Sequence, residues 1–284
     1  MRAISTLALS TFVATLLCSS PARLPADTHT ERAARPAKRG AAERIPEHQC
    51  AEALPESVQK VIELTNRERL KAGLPALKCQ RNLLDSAGWL AADMASHRYF
   101  DHRDSGGRPM PARISEFRYS DYSALGENIA LGQRTPEEVV EGWMNSPGHR
   151  ANILSRKFSE IGVGYVRAAD RPGGGGYWVQ DFGSRFDQCP VVIDTGGVTT
   201  STCRVKLSIH GDDWVQQMRL SNDGTHWTAW EEFRPLRDWT LDSGTGTRTV
   251  YVEVRQAQRV ERLEAAIHVD AAPDAHTVAD AGVR

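Results

Sequence analysis

GENIA, at residues 126–130, stands out in the sequence, together with WMNSPGHRANIL at 143–154 and YFDH at 99–102. The first stretch contains a glutamate, and each of the other two contains a histidine. Singly, each has a structural explanation, because a lone histidine is usually a hydrogen-bonded structural residue and a carboxylate can stabilise a helix N-terminus. Taken alone, none of the three stretches establishes a functional site.

The pattern around these stretches predicts helices first and a hairpin last. Thr135-Pro136-Glu137-Glu138 has the form of a capping box at the start of a helix, which Pro147-Gly148 should end. The predicted elements are helices over 55–72, about 81–98 and from Thr135, an irregular loop over 99–111, and strands over 161–165 and 177–181, joined by a glycine-rich loop.

From Cys189 onward, short strand-like runs alternate with turn signals, which predicts a β-sandwich of immunoglobulin-like type. We expect the tryptophans Trp227, Trp230 and Trp239 to pack in its core, since large aromatics usually do. Stacking on a sugar ring is the alternative. The runs are 191–193, 205–209, 214–215, 218–220, 227–230 and 250–254.

Length and composition fit a two-domain globular protein. The 284 residues are 40% apolar and 25% charged, with a formal net charge of −1. That charge favours neither nucleic acid nor an anionic membrane as a partner. We expect a monomer without a transmembrane span.

The first residues predict export. Met1-Arg2 precedes an apolar stretch over 7–17 that is too short to span a bilayer, and small residues follow. We therefore predict a signal peptide over 1–26 and a secreted, extracellular protein, followed by a disordered linker over 27–49. A lipoprotein anchor at Cys18 is disfavoured because Leu17 is not small.

The remaining cysteines are predicted to form disulfides, as is common in exported proteins. Cys50, Cys79, Cys189 and Cys203 allow three pairings. Chain order favours Cys50–Cys79 and Cys189–Cys203, each worth about 3 kcal/mol in the chain-entropy model.

Residues 55–185 resemble the CAP superfamily of cysteine-rich secretory, antigen 5 and pathogenesis-related proteins, in its bacterial branch. Four segments carry the resemblance in the family's order: Leu64-Thr65-Asn66 with Arg69, then 99–102, 126–130 and 143–154. The resemblance implies an α+β chain. An α-β-α sandwich CAP domain over 50–187 precedes a smaller all-β immunoglobulin-like sandwich over 188–270, with a disordered tail over 271–284.

The resemblance also implies a cleft with two histidines and two acids. His102 and His149 match the histidines and Glu127 matches one acid, but Ser146 stands at the position of the other. The two histidines are the expected ligands of zinc or another divalent cation. Glu127, His102 and His149 would be catalytic only if the protein is an enzyme. Asn128, Ser146 and Asn152 are the further expected binding residues.

These observations leave three functions open. The favoured one is an extracellular binding module for a divalent cation, or for a sterol, a lipid or a cell-envelope ligand. The alternative is a metal-dependent hydrolase such as a peptidase, with Glu127 as base and a histidine-bound metal. The loss of one acid at Ser146 disfavours it. The third is a structural envelope protein with a vestigial cleft.

Overall fold

A computed structural model describes residues 54–168, 174–186, 188–211 and 214–270. The predicted signal peptide over 1–26, the linker over 27–49 and the tail over 271–284 lie outside the described residues. Within the described ranges, none of the helices is both long and apolar enough to cross a membrane.

Five helices are formed in the described residues. They are α1 (Glu56–Lys71), α2 (Arg81–His97), α3 (Met110–Glu116), α4 (Pro136–Asn145) and α5 (Pro147–Ile153). The sequence predicted α1, α2 and the start of α4, which have an apolar face or a cap. It missed α3 and α5, which are seven residues long and have a proline in their first turn. Pro147 ends α4 but also begins α5, because its fixed φ suits a first helical position.

The start of α4 has the predicted cap with one difference. The Thr135 hydroxyl accepts a hydrogen bond from the Glu138 amide at 3.1 Å, as a capping box requires. The Glu138 carboxylate accepts from the Arg134 amide at 2.7 Å instead of returning to Thr135. Two amides at the helix start are thus paired.

A four-stranded sheet lies between the helices. Its strands are β1 (Lys78–Cys79), β2 (Tyr122–Leu131), β3 (Glu160–Arg167) and β4 (Gly176–Arg185), in the spatial order β1-β3-β4-β2. The predicted hairpin is the antiparallel pair β3 and β4. The GENIA stretch lies in β2, which is an edge strand and places Glu127 directly opposite Asp181.

Helices cover both faces of this sheet. One face packs against α1, α4 and α5 through a core that includes Trp143, Trp178 and Phe182. The other packs against α2, where Gly162 is essential to the close approach: a Cβ there would lie 2.1 Å from the Leu83 carbonyl carbon. This is the α-β-α arrangement that the sequence predicted.

Two further sheets form a β-sandwich after residue 188. Their strands are β5 (Val191–Ile193), β6 (Thr199–Thr200), β7 (Arg204–Ile209), β8 (Gln217–Ser221), β9 (Glu231–Glu232), β10 (Leu236–Thr240), β11 (Gly246–Gln256) and β12 (Arg259–Val269). The three-stranded sheet has the order β10-β7-β5, and the five-stranded sheet has the order β6-β12-β11-β8-β9. One apolar core is shared between them, with Leu207 from β7 and Val252 from β11 both fully buried. The immunoglobulin-like assignment and the domain boundaries stay predictions.

The tryptophans are arranged differently from the prediction. Trp239 packs against the sandwich core as expected. Trp227 and Trp230 lie outside the strands and outside that core, with the Arg219 guanidinium over their rings at 4.9 and 4.7 Å. Arg255 also lies over Trp230, at 3.9 Å. The prediction of core packing is wrong for these two, because cation–π stacking gives each ring a partner at the surface.

Hydrogen bonds connect the sandwich to the first sheet and its helices, mainly through the segment that follows α1. The Ala76 amide donates to the Ser208 hydroxyl at 2.8 Å, and the His210 ring lies 2.7 Å from the Ala76 carbonyl. Asn66 donates to the carbonyls of Leu77 and Thr195. Asn66 thus belongs to this junction.

One predicted disulfide is absent from the structure. Cys203 keeps its thiol, which donates to the Asp242 carbonyl at 3.7 Å, so the predicted Cys189–Cys203 bond is wrong. The disulfide is absent because the Cys203 sulfur points to the Asp242 carbonyl. Cys50 lies outside the described residues, and the Cys50–Cys79 bond stays a prediction.

Candidate functional site

Three elements place the predicted site residues around the edge of β2. Glu127 lies on β2 itself, His102 lies in the loop between α2 and α3, and His149 lies in α5. Asn128 follows Glu127 and therefore points to the opposite face of the sheet. The site is thus assembled across an edge strand by residues that are far apart in sequence.

His102 and Glu127 form a direct hydrogen bond. The His102 Nδ1 lies 2.7 Å from Glu127 Oε1. An ionised carboxylate only accepts, so the imidazole donates from Nδ1 and leaves Nε2 for another partner. The Glu127 side chain is 2% exposed and that of His102 is 56% exposed. This hydrogen bond is the main cause that raises the pKa of His102, and it outweighs the opposing effect of burial.

A buried arginine holds Glu127 from the other side. Arg113, on α3, is fully buried, and its Nη2 donates to Glu127 Oε2 and, at 3.3 Å, to Asp181 Oδ1. The same guanidinium donates to the Ser86 hydroxyl and the His102 carbonyl. Sequence reasoning missed Arg113, because nothing in its local sequence marks a buried cation.

Asp181 supplies a second carboxyl that the sequence did not identify. It is fully buried and lies directly across the strand pair from Glu127. Burial, followed by the negative charge of Glu127, raises the pKa of Asp181 well above its usual value. Its Oδ2 is buried without a hydrogen-bond partner in the described part of the chain. Burial and the neighbouring charge thus favour the uncharged form of the Asp181 carboxyl.

His149 is half-buried and close enough to His102 for their charges to interact. Burial lowers the pKa of His149, and the positive charge of His102 lowers it further. The pKa of His102 therefore lies above that of His149, and the two imidazoles differ in charge at pH values between the two. His149 is the neutral ring of the pair near neutral pH.

The two asparagines position the backbone of the site. Asn128 is fully buried, donates to the His149 carbonyl at 3.2 Å and accepts from Asn152 at 2.9 Å. Asn152 also donates to the Glu127 carbonyl at 3.1 Å. Asn128 cannot touch a ligand while its side chain is fully buried, so its predicted binding role is corrected to a positioning role. Binding by Asn152 stays a prediction.

Ser146 lies at the junction of α4 and α5. It is the N-cap residue of α5, and its side chain makes no capping hydrogen bond. It supplies no carboxylate, and the second carboxyl beside Glu127 comes from Asp181 on β4. A ligand contact at Ser146 stays a prediction.

Comparison with known proteins assigns a family to this part of the chain. Residues 62–182 match the cysteine-rich secretory protein family, CAP. The chain carries a CAP domain. This domain belongs to the bacterial branch of the superfamily, and a β-sandwich follows the domain along the chain.

Two curated relatives come from Bacillus subtilis (strain 168). The uncharacterized protein YkwD is 48% identical over 125 residues, which are 44% of this chain and 46% of that protein. The uncharacterized membrane protein YlbC is 32% identical over 130 residues, which are 46% of this chain and 35% of that protein. This chain therefore spans less than half the length of these relatives.

A crystal structure of an extracellular, SCP-domain protein from Bacillus anthracis (strain Ames) is also similar. It is 29% identical, and the match covers 45% of this chain and 40% of that one, with a TM-score of 0.40.

Two imidazole rings in the CAP-domain site, those of His102 and His149, could contact a cation. Among the described residues, no three His, Cys, Asp or Glu side chains are grouped as a metal site. Both oxygens of Glu127 already have partners, His102 and Arg113. His102, oriented by Glu127, and His149 are the two imidazoles that could take part in holding a cation, and water or ligand oxygens would have to complete its coordination.

Proposed function

We propose that this is a secreted, non-hydrolytic binding protein whose CAP-domain cleft takes a divalent cation such as zinc at His102 and His149. The observation that carries the proposal is the hydrogen bond from His102 Nδ1 to the buried Glu127. A carboxylate that accepts from one ring nitrogen orients the other toward a metal. Arg113 in turn fixes Glu127.

The charges of the two rings support the same assignment. A histidine binds a metal only in its neutral form. Burial lowers the pKa of His149, so His149 is available near neutral pH. The pKa of His102 is raised, so a proton competes for this ring. Cation affinity should therefore increase as pH rises through the raised pKa of His102.

Hydrolysis is the less favoured alternative because both carboxylate oxygens of Glu127 already accept hydrogen bonds. A general base must reach the proton of the attacking water. Glu127 uses Oε1 for His102 and Oε2 for Arg113, and its side chain is 2% exposed. A peptidase would need one of these contacts to open.

Titration of the purified, metal-free protein with zinc tests the cation proposal. We expect saturable binding that is lost in His102→Ala and in His149→Ala and weakened in Glu127→Gln. His226→Ala is the matched control, because His226 is an exposed histidine in the sandwich with its own aspartate partner. Zinc affinity that is the same in the two cleft variants and the control would refute the proposal. Zinc-dependent cleavage of a peptide panel would favour the hydrolase instead.

A groove between α1 and α4 supports a second candidate, binding of a hydrophobic ligand. The groove has a volume of 330 Å³ and an apolar floor from Leu64, Val140 and Met144. Glu68 and Glu141 are among the acids that line it. These carboxylates disfavour an anionic lipid and favour a neutral one such as a sterol.

Competition with a labelled sterol tests this second candidate. We expect Met144→Trp to reduce sterol binding, because the larger side chain fills the groove, and to leave zinc binding unchanged. Equal sterol binding by the wild type and Met144→Trp would refute it.

A further inference from the structure

Most of β12 has a neighbouring strand on one side only. It pairs with β11 in an unbroken register from Arg259 to Val269. On its other side it pairs with β6 only at His268 and Val269. In the described part of the chain, no strand therefore pairs with the edge of β12 over 260–267. An open edge presents backbone groups that another extended chain can pair with.

The direction of these backbone groups follows from the contacts at the end of β12. The His268 amide donates to the Val198 carbonyl at 3.0 Å, on the side away from β11. Amides alternate in direction along a strand, and the register with β11 contains no bulge. The amides of Val260, Arg262, Glu264 and Ala266 therefore also point to the open side.

The open edge borders a cavity of 690 Å³ between the sandwich and the CAP domain. Five consecutive residues of β12, over 260–264, line it. A sheet face exposes only alternate residues, so consecutive lining residues indicate that the cavity runs along the strand edge. Lys78, Glu160 and Arg185 form the wall on the CAP side.

Side chains beside the edge specify the kind of chain that would fit. Arg262 and Glu264 have opposite charges and lie on the outer face of the sheet, whereas Leu263 lies on the inner face, opposite Val252. Val260 is 50% exposed and adds an apolar contact at the cavity. A matching strand would carry an acid and a base in complementary order, with an apolar residue between them.

We propose that an extended segment of a partner polypeptide adds to the edge of β12 in this cavity, antiparallel to it. The partner's backbone pairs with the amides and carbonyls at 260, 262, 264 and 266. Its acid lies opposite Arg262 and its base lies opposite Glu264. This is binding by strand addition, in which the main chain supplies affinity and the side chains supply specificity.

The sequence of β12 provides a probe with this pattern. A synthetic peptide of residues 259–268 that pairs antiparallel about Leu263 places its glutamate opposite Arg262 and its arginine opposite Glu264. A parallel, in-register arrangement would place like charges opposite each other, which is unfavourable. A second peptide exchanges the arginine and the glutamate at the positions of 262 and 264.

Fluorescence anisotropy with the full chain tests the proposal in a two-by-two design. Arg262→Glu combined with Glu264→Arg should bind the unmodified peptide about tenfold more weakly, and the exchanged peptide should restore the affinity. The control exchanges a charge pair on the other sheet, Lys206→Asp with Asp238→Lys, and should bind the unmodified peptide like the wild type.

Amide hydrogen exchange by NMR provides the second measurement. The bound peptide should protect the amides of Val260, Arg262, Glu264 and Ala266 and leave those of the intervening residues unchanged, since these already face β11. Affinity that is independent of the charge exchange, uniform protection or the absence of saturable binding would each overturn the proposal. If the wild-type protein self-associates and Arg262→Glu abolishes that association, the strand that adds to β12 belongs to a second copy of this chain. That result would overturn the proposal of a different partner polypeptide.

Discussion

His210 makes the stability of the protein depend on pH in a direction that the structure defines. Its ring lies 2.7 Å from the Ala76 carbonyl at the junction between the sandwich and the CAP domain. Burial, with a further contribution from the charge of Arg69, lowers the pKa of His210 from 6.5 to about 4. The folded protein therefore binds this proton less readily than the unfolded chain does.

The sign and size of the effect follow from linkage. Stability from the neutral ring is complete above the unfolded pKa of 6.5 and is lost as pH falls toward the folded pKa of about 4. At about 1.4 kcal/mol per pKa unit, the loss is at most about 3 kcal/mol. This is an upper limit because the residue is only partly buried.

Urea unfolding of the wild type and His210→Gln, at pH values from about 7 to about 4.5, measures the effect. Glutamine can donate to the Ala76 carbonyl but does not titrate in this range. We expect the wild type to lose more unfolding free energy than the variant, with the difference developing below pH 6.5. Parallel losses in the two proteins would refute the reasoning.

Three further predictions concern the site and the sheet. Arg113→Met should lower the free energy of unfolding by about 3–5 kcal/mol, because it leaves the Glu127 carboxylate buried without its cation; a change near zero in urea unfolding would contradict this. Asp181→Asn should leave the thermal midpoint near neutral pH almost unchanged, since the raised pKa of Asp181 favours its uncharged form, whereas a large decrease would show an ionised carboxylate. Gly162→Ala should cost about 1–3 kcal/mol in the same unfolding assay, because its Cβ would overlap the α2 backbone; Gly148→Ala, with open space around its Cβ position, is the control.

Local patterns predicted much of the first half of the fold. The apolar faces of α1 and α2, the cap at Thr135 and the alternation in β3 and β4 are short-range signals, so they can be recognised without knowledge of the tertiary structure. The short helix α5 could not be recognised in this way, because Pro147 is compatible with both a helix end and a helix start. β12 was missed because charged residues occupy its outer face and only part of its inner face is strongly apolar.

Periodicity and turn signals were enough to predict the α-β-α order, and the motifs that resemble the CAP family were enough to predict the CAP domain and the candidates His102, Glu127 and His149. The sequence did not reveal that Arg113 and Asp181 share the site with Glu127, that Asn128 is buried beneath it, or that Cys203 keeps its thiol. These features depend on folding, because buried ion pairs and cross-strand contacts join residues distant in the chain. Their energies depend on distance and burial, which folding sets and local sequence does not encode.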